Sequence, residues 1–241
     1  MPMNTAITIT GELRMTEKIA ILWPEIFLFI GTCLVMLTGQ WPSRAIRQFT
    51  PWICATSLLL AFFAAMTSPP TQGMFPAIVP YAKMIIATVG IMILMLLSGT
   101  VDRQLEAEVD QGKPFQSIRS NRGEFYAFFM FSLTGLMLTA SADDLIWLFL
   151  ALELTSLPTY IMVAVSREED SALEASVKYF FLGALGAAIF LYGFALIYGA
   201  TGSTNLNEIA TVFANDGISS IGMIGMLIAV IGVSFKIAAV P

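Results

Sequence analysis

The chain has 241 residues, of which 57% are hydrophobic and only 12% are charged, and its mean hydropathy is +0.79. A soluble domain has about 25% charged residues, so this composition excludes an ordinary soluble protein and indicates an integral membrane protein. The chain has no histidine, which excludes imidazole metal ligands and histidine acid–base chemistry, and most charges behind the net charge of −5 lie in loops.

Seven apolar segments approach the length of about 20 residues that a membrane-spanning helix needs. They follow a polar N-terminal extension, residues 1–17, and predict an all-α integral membrane protein, a polytopic bundle of about seven transmembrane helices. We divide the rest of the chain into 18–123, with three spans and a basic loop, and 124–241, with four spans. The predicted spans are Lys18–Thr38, Pro51–Met66, Tyr81–Gly99, Glu124–Ala140, Leu145–Val165, Leu173–Ala200 and Gly217–Val240.

Basic residues occur in every second loop between these spans. Loops 67–80, 141–144 and 201–216 contain no lysine or arginine, whereas the alternate loops contain seven. By the positive-inside rule the basic loops are cytoplasmic and the N-terminus is outside, with only Arg14 and Lys18 against this orientation. The basic loop residues are Arg44, Arg47, Arg103, Lys113, Arg119, Arg122 and Arg167.

The two cysteines and the absent motifs bear on redox chemistry. Cys33 and Cys54 both lie inside apolar segments, which predicts unreactive packing residues and neither a disulfide framework nor a metal site. The sequence has no C-x-x-C motif and no nucleotide-binding glycine loop. If the chain serves an oxidoreductase, its redox centres are therefore expected in other subunits.

Glu153 lies about nine residues into the fifth span, roughly 13 Å along the helix. A charge at that depth costs roughly 2.5–3.5 kcal/mol on insertion scales, so an acid there indicates function by default. The alternative is a static polar anchor. Pro158, five residues later, removes the helical donor of the Leu154 carbonyl and predicts an interruption or kink.

Lys236 lies deep in the seventh span, at the end of a stripe of small residues. Gly222, Gly225, Ala229, Gly232 and Lys236 fall within an arc of about 80°. Because membrane helices approach each other through small residues, this predicts that Lys236 faces the bundle and not lipid. The alternative is a lysine that extends to the membrane surface. Pro241 follows five residues later and marks a second predicted interruption.

Other charged residues in or beside the spans are weaker candidates. Lys178 either acts as a relay between Glu153 and Lys236 or pairs locally with Glu174, four residues earlier. Lys83 is three residues into its span and is expected to extend outward to the membrane surface. The remaining candidates are Glu25, as an anchor or functional acid of the first span, and Asp144, as a helix cap or, alternatively, a point of proton exit.

Four segments carry a resemblance to a known family. "LFLALELTSLPTYIMVA", "ALEASVKYFFLGALGAAIFLYGFALIYGATGSTNL", "FKIAAVP" and "LWPEIFLFIG" resemble the antiporter-like membrane subunits of respiratory complex I, and in particular the subunit N (subunit 2) family of NADH–quinone oxidoreductase. The resemblance covers about residues 19–241 and is most specific over 142–205. It implies a proton channel built from two inverted five-helix repeats, each with one broken helix.

In that family the first half-channel uses a glutamate of the fifth helix and lysines of the sixth and seventh, and Glu153, Lys178 and Lys236 stand at those positions. NADH, FMN, iron–sulfur clusters and quinone are then expected in other subunits, with none bound by this chain. The implied partners are the lipid bilayer, other membrane subunits of complex I and a C-terminal half of the same subunit, with no nucleic acid. The implied location is the bacterial inner membrane.

The family has about fourteen spans, whereas this chain has seven, so we expect either a fragment of a longer protein or an interrupted gene. The primary hypothesis is a membrane subunit that couples quinone reduction to proton translocation through a buried Glu/Lys relay, as part of a translocase without a redox centre in this chain. The alternatives are a subunit of a multi-subunit sodium/proton antiporter and a truncated, non-pumping structural remnant.

Overall fold

The apolar segments form long helices in the computed structural model, which describes residues 3–41, 43–69, 77–98, 111, 121–165, 170–237 and 239. For residues 3–18 and Arg44 it describes the backbone alone. The helices are α1 (Met3–Gly39), α2 (Arg44–Gln48), α3 (Thr50–Thr67), α4 (Val79–Leu97), α5 (Arg122–Ala140), α6 (Leu145–Val165), α7 (Asp170–Thr201), α8 (Leu206–Asp216) and α9 (Ser220–Ser234), followed by a 3₁₀ turn (Phe235–Ile237).

In the described part of the chain, seven helical segments are long and apolar enough to cross a membrane, and each overlaps one of the seven predicted spans. The second segment combines α2 with α3, and the seventh combines α9 with the 3₁₀ turn. The all-α, polytopic prediction is therefore confirmed. The backbone of the predicted polar extension is already helical from Met3, in the same helix as the first span. Many large apolar side chains remain on the outer surface, as expected where a bundle faces lipid tails.

The connection over 201–216 lies between two spans, as predicted, but it contains a further helix, α8, that the sequence analysis did not predict. The Asn205 side chain starts this helix by accepting the backbone N–H groups of Asn207 and Glu208. Such a cap satisfies donors that the first turn of a helix otherwise leaves free. Ile209 is the buried residue of α8 and joins a hydrophobic core. At eleven residues, α8 is too short to span a membrane.

Among the residues that the structure describes, two hydrophobic cores lie along the bundle. The first is built by α1, α3, α4 and α5 around residues such as Leu58 and Met130, and the second by α6, α7, α8 and α9 around Phe190. Helices α5 and α6 join them through a close backbone approach, since a Cβ on Gly135 would lie 2.5 Å from the Thr155 nitrogen. The Ser132 hydroxyl also donates to the Thr155 carbonyl at 3.0 Å.

Contacts between loops show which helix ends share a face of the bundle. On one face, Leu145 donates its N–H to the Thr204 carbonyl and Leu206 donates to the Asp143 carbonyl, each at 2.9 Å. On the other face, the Asn121 amide donates to the Val165 carbonyl at 3.3 Å. The second face carries the basic loop residues Arg47 and Arg122, whose contact joins the α2 and α5 ends.

Candidate functional site

Glu153 of α6 and Lys236, just after α9, form an ion pair between the fifth and seventh spans. The Lys236 Nζ donates to Glu153 Oε1 at 2.9 Å, and the lysine and glutamate side chains are 13% and 18% exposed. Lys236 also donates to the Ser156 hydroxyl at 2.6 Å, and its ammonium lies 5.8 Å from the centre of the Phe190 ring. Each charge therefore has an oppositely charged or polar partner inside the bundle.

The small-residue stripe of α9 sets the position of Lys236. Gly222, Gly225, Ala229 and Gly232 are all buried, as predicted. A Cβ on Gly232 would lie 2.4 Å from the Phe190 nitrogen of α7, so the two helices touch backbone to backbone. Close packing along this stripe brings the end of α9 toward α6, within reach of the lysine side chain.

The α-helix of the seventh span ends at Ser234, and the 3₁₀ turn that contains Lys236 follows directly. The Ala239 N–H donates to the Ser234 carbonyl at 3.1 Å, outside the regular α-helical pattern. The predicted interruption at Pro241 lies outside the described residues. The helical geometry thus changes at the lysine itself.

The prediction of an interruption at Pro158 is wrong, because α6 continues as one helix from Leu145 to Val165. Pro158 is buried inside this helix, and because it has no N–H, the Leu154 carbonyl lacks its usual helical donor. Neighbouring hydroxyls bond within this helix: Thr155 donates to the Ala151 carbonyl at 3.0 Å and Thr159 to the Ser156 carbonyl at 2.6 Å.

Lys83 does not extend to the membrane surface, and that expectation is corrected. Its side chain is 1% exposed and pairs at 2.7 Å with Glu25, itself 5% exposed. The ammonium also donates to the Ile21 carbonyl at 2.8 Å. Pro24 has no backbone N–H, so α1 lacks one helical hydrogen bond next to this carbonyl. A lysine of α4 thus supplies a hydrogen-bond donor where the first span has lost one. A second buried pair therefore links the first and third spans.

Lys178 does not lie between Glu153 and Lys236, because those two residues contact each other directly. It pairs with Glu174 on the surface of α7, where the two side chains are 70% and 67% exposed. An exposed ammonium needs no buried partner, and the favourable glutamate-to-lysine spacing of four supplies a local one. The local-pairing alternative therefore describes this structure.

Asp144 caps α6, as the sequence predicted. Its carboxylate accepts the N–H of Ile146 at 2.8 Å and that of Trp147 at 3.4 Å, and it also accepts the Thr204 hydroxyl. Burial acts to raise the pKa of this carboxyl, but the three hydrogen bonds outweigh it and lower the pKa below its ordinary value.

Sequence reasoning missed the polar and aromatic partners of the central pair. Ser156, Tyr160 and Phe190 are buried beside it, and none carries a charge that would mark it in an apolar segment. The sequence did contain a pattern that indicates Ser156 and Tyr160. Glu153, Ser156 and Tyr160 are spaced by three and four residues and share one face of α6.

The comparisons with known proteins bear on this arrangement. Residues 142–241, which contain the Glu153–Lys236 pair, match the family described as "NADH:quinone oxidoreductase/Mrp antiporter, TM". This segment of the chain is similar to that family. NADH-quinone oxidoreductase subunit N of Nitrosomonas europaea is 36% identical over 223 residues, which cover 91% of this chain and 44% of the relative. Subunit N 1 of Rhizobium meliloti is 31% identical over 243 residues, which cover 98% and 46%.

Solved structures agree with the fold. Respiratory complex I from Thermus thermophilus with bound aureothin contains a chain that is 26% identical, with a TM-score of 0.66 over 90% of this chain and 44% of that one. A chain of an archaeal membrane-bound sulfane sulfur reductase has a TM-score of 0.69 at 22% identity, which shows the fold alone. The chain thus spans slightly less than half the length of these relatives.

Proposed function

We propose that this chain is the N-terminal part of a membrane subunit of an NADH-quinone oxidoreductase and couples quinone reduction to proton translocation. The observation that carries the proposal is the ion pair between Glu153 and Lys236, held inside a bundle of membrane spans. Relatives named NADH-quinone oxidoreductase subunit N align along nearly the whole chain and support the same assignment.

The pair can act as a switch because each charge stabilises the other away from water. When a change in the redox arm of the complex separates them, Lys236 loses its carboxylate partner in a low-dielectric environment. The neutral amine is then favoured, and the ammonium releases its proton. When the pair forms again, Lys236 takes up a proton, which restores the starting state. The exposed Lys178–Glu174 pair is proposed to mark the region where protons approach from the cytoplasm.

The remaining parts of the proposal follow from the family. The basic face of the bundle is cytoplasmic, which puts the N-terminus outside, in a bacterial inner membrane. The partners are other membrane subunits of the complex and a C-terminal half of this subunit. NADH, FMN, iron–sulfur clusters and quinone belong to other subunits, so the chain is part of a translocase without carrying a redox centre.

The test is the proton-to-electron ratio of the assembled complex in membrane vesicles. Proton uptake and NADH oxidation are measured together for the wild type, Glu153→Gln and Glu208→Gln. We expect the ratio to fall for Glu153→Gln and to stay unchanged for Glu208→Gln, which makes the same chemical change at an exposed carboxylate of α8. An unchanged ratio for Glu153→Gln in an assembled complex would contradict the proposal and favour a structural remnant that does not pump.

The family description also names Mrp antiporters, which favours one second candidate, a subunit of a sodium/proton antiporter. This candidate predicts sodium-dependent proton flux across vesicles without NADH. The driving force distinguishes the two functions. An oxidoreductase should move protons with NADH and no sodium gradient, whereas an antiporter should move protons with a sodium gradient and no NADH.

A further inference from the structure

A line of hydroxyl groups leads away from the Glu153–Lys236 pair along one face of α6. Glu153, Ser156 and Tyr160 fall within an arc of about 60°, because they are spaced by three and four residues at 100° per residue. At 1.5 Å per residue, the Ser156 and Tyr160 backbones lie about 4.5 Å and about 10.5 Å farther along the helix than Glu153. Tyr160 is then about 7.5 Å from Val165, the end of α6 on the basic face.

Ser156 is in direct contact with the lysine. Its hydroxyl accepts from the Lys236 ammonium at 2.6 Å and donates to the Leu152 carbonyl at 2.9 Å. The side chain is buried, so bulk water does not compete for it. A hydroxyl has one hydrogen and two lone pairs, which leaves one lone pair for another donor.

Tyr160 carries the next hydroxyl group along the same face of α6, about one helical turn beyond Ser156. The residue is 4% exposed, and its ring packs edge-on against Tyr179 of α7, with centroids 4.5 Å apart. The Tyr179 hydroxyl in turn lies 3.4 Å from the Thr159 hydroxyl, and Tyr179 is partly exposed.

Gly183 of α7 makes room for the Tyr160 hydroxyl. A Cβ at this position would lie 1.9 Å from the hydroxyl oxygen and 2.5 Å from the ring carbon that carries it. Any side chain at residue 183 would therefore displace the phenol from its place between α6 and α7. The hydroxyl groups of Tyr179, Tyr160 and Ser156 thus lead from the exposed surface of the bundle to the buried lysine.

We propose that Ser156 and Tyr160 are the groups through which a proton reaches Lys236 from the basic face of the membrane. This inference rests on the proposed function and adds the route of the proton to it. In the uptake step, neutral Lys236 accepts the Ser156 hydroxyl proton after that hydroxyl turns away from Leu152. Ser156 takes the proton of Tyr160, and Tyr160 takes one from a hydronium ion that arrives beside Tyr179 and leaves as water. One proton enters and one is bound by Lys236, and both hydroxyls end as they began.

The route also explains how Lys236 is supplied although Lys178 is turned outward. Lys178 is adjacent in sequence to Tyr179 and pairs with Glu174 on the surface. A proton released near that exposed pair has Tyr179 and then Tyr160 as the next hydroxyl groups toward the interior. No second lysine between Glu153 and Lys236 is then required.

The experiment measures the proton-to-electron ratio of the assembled complex in vesicles for Tyr160→Phe, Ser156→Ala and Ser156→Thr. We expect the first two to lower the ratio toward that of Glu153→Gln, because each removes a hydroxyl from the line. Ser156→Thr keeps the hydroxyl and should retain most of the ratio. Tyr192→Phe is the matched control, since Tyr192 is an exposed tyrosine of α7.

Assembly is checked by the amount of complex and by its NADH oxidation rate with an artificial electron acceptor. Gly183→Ala gives an independent test, because it leaves both hydroxyls present but displaces Tyr160, and it should lower the ratio as Tyr160→Phe does. A wild-type ratio for Tyr160→Phe with a reduced ratio for Glu153→Gln would overturn this inference and leave the proposed function standing. A wild-type ratio for all variants, Glu153→Gln included, would overturn both.

Discussion

Lys236 follows Glu153 by 83 residues in the chain, and the two side chains meet at 2.9 Å between the seventh and fifth spans. The position of this contact also depends on the sixth span, α7. Helix α7 packs against α9 through glycines, and its Phe190 ring lies beside the lysine. The pair is therefore a product of packing among three helices, and its properties can be changed either at the charges or at the helix contacts.

Replacement of the lysine alone should destabilise the protein more than replacement of both charges. Lys236→Met leaves the Glu153 carboxylate inside the bundle without a cation, and breaking a buried pair in this way costs about 3–5 kcal/mol. We expect the lower end of that range because both side chains are slightly exposed. Adding Glu153→Gln removes the stranded charge and should recover most of the loss.

The measurement is the thermal unfolding midpoint of the purified protein in detergent for both single variants and the double variant. The double variant should unfold at a higher temperature than Lys236→Met. If the effects of the two substitutions simply add, the residues do not interact energetically and the observed contact has no consequence for stability.

A methyl group on Gly193 should disturb the contact between α7 and α9. A Cβ there would lie 2.4 Å from the Ala229 nitrogen and 2.7 Å from the Gly225 carbonyl oxygen, and neither backbone can move aside without moving the helix. Overpacking of this kind typically costs about 1–3 kcal/mol. Because α9 carries Lys236 toward Glu153, Gly193→Ala should also lower the proton-to-electron ratio.

Gly199→Ala is the matched control in the same helix. Nothing lies within 4 Å of a Cβ at this position, so the substitution meets no clash. Alanine favours a helix over glycine by about 1 kcal/mol, and the control should be neutral or slightly stabilising. Equal unfolding midpoints for the two alanine variants would show that α7 and α9 are not held at the observed separation.

The spans and the central pair were largely predictable from sequence, because both follow from the cost of polar groups in a membrane. Leu145–Val165 was predicted with the bounds that the structure gives, and the stripe from Gly222 to Gly232 indicated the buried face of α9. The surroundings were harder to predict. Whether Lys83 extends outward depends on whether another helix offers an acid, and Glu25 is 58 positions away in the chain. Ser156 and Tyr160 carry no charge to mark them.

The pair between Glu25 and Lys83 should be a stabilising link of the first and third spans. Lys83→Met leaves a nearly inaccessible carboxylate without its cation, and we expect a loss of about 3–5 kcal/mol in the free energy of unfolding. Glu25→Gln added to Lys83→Met should restore much of it. Lys178→Met is the control, because an exposed pair contributes only about 0.2–1 kcal/mol. Equal losses for Lys83→Met and Lys178→Met in detergent unfolding would contradict the burial of Lys83.

Protonation of Asp144 should weaken the contact between the start of α6 and the loop that contains Thr204. Its hydrogen bonds to the Thr204 hydroxyl and to the N–H groups of Ile146 and Trp147 hold the pKa below the ordinary 3.8. A carboxyl with a lowered folded-state pKa contributes stability above its unfolded-state pKa, and that contribution is lost as the pH falls through the folded-state pKa. Because the group is partly exposed, the effect should be local. Trp147, whose indole N–H donates to the Leu138 carbonyl at 3.1 Å, should report it as a fluorescence change below about pH 4.

Two variants test that assignment. Asp144→Asn keeps an oxygen that can cap the helix but cannot titrate, so the acid-dependent change in Trp147 fluorescence should disappear. Asp143→Asn should keep the change, because the contact of Asp143 with the α8 end uses its backbone carbonyl, which this substitution preserves. Persistence of the same transition in Asp144→Asn would place the titrating group elsewhere. Its loss in Asp144→Asn alone would show that this carboxylate joins the start of α6 to the Thr204 end of the neighbouring loop.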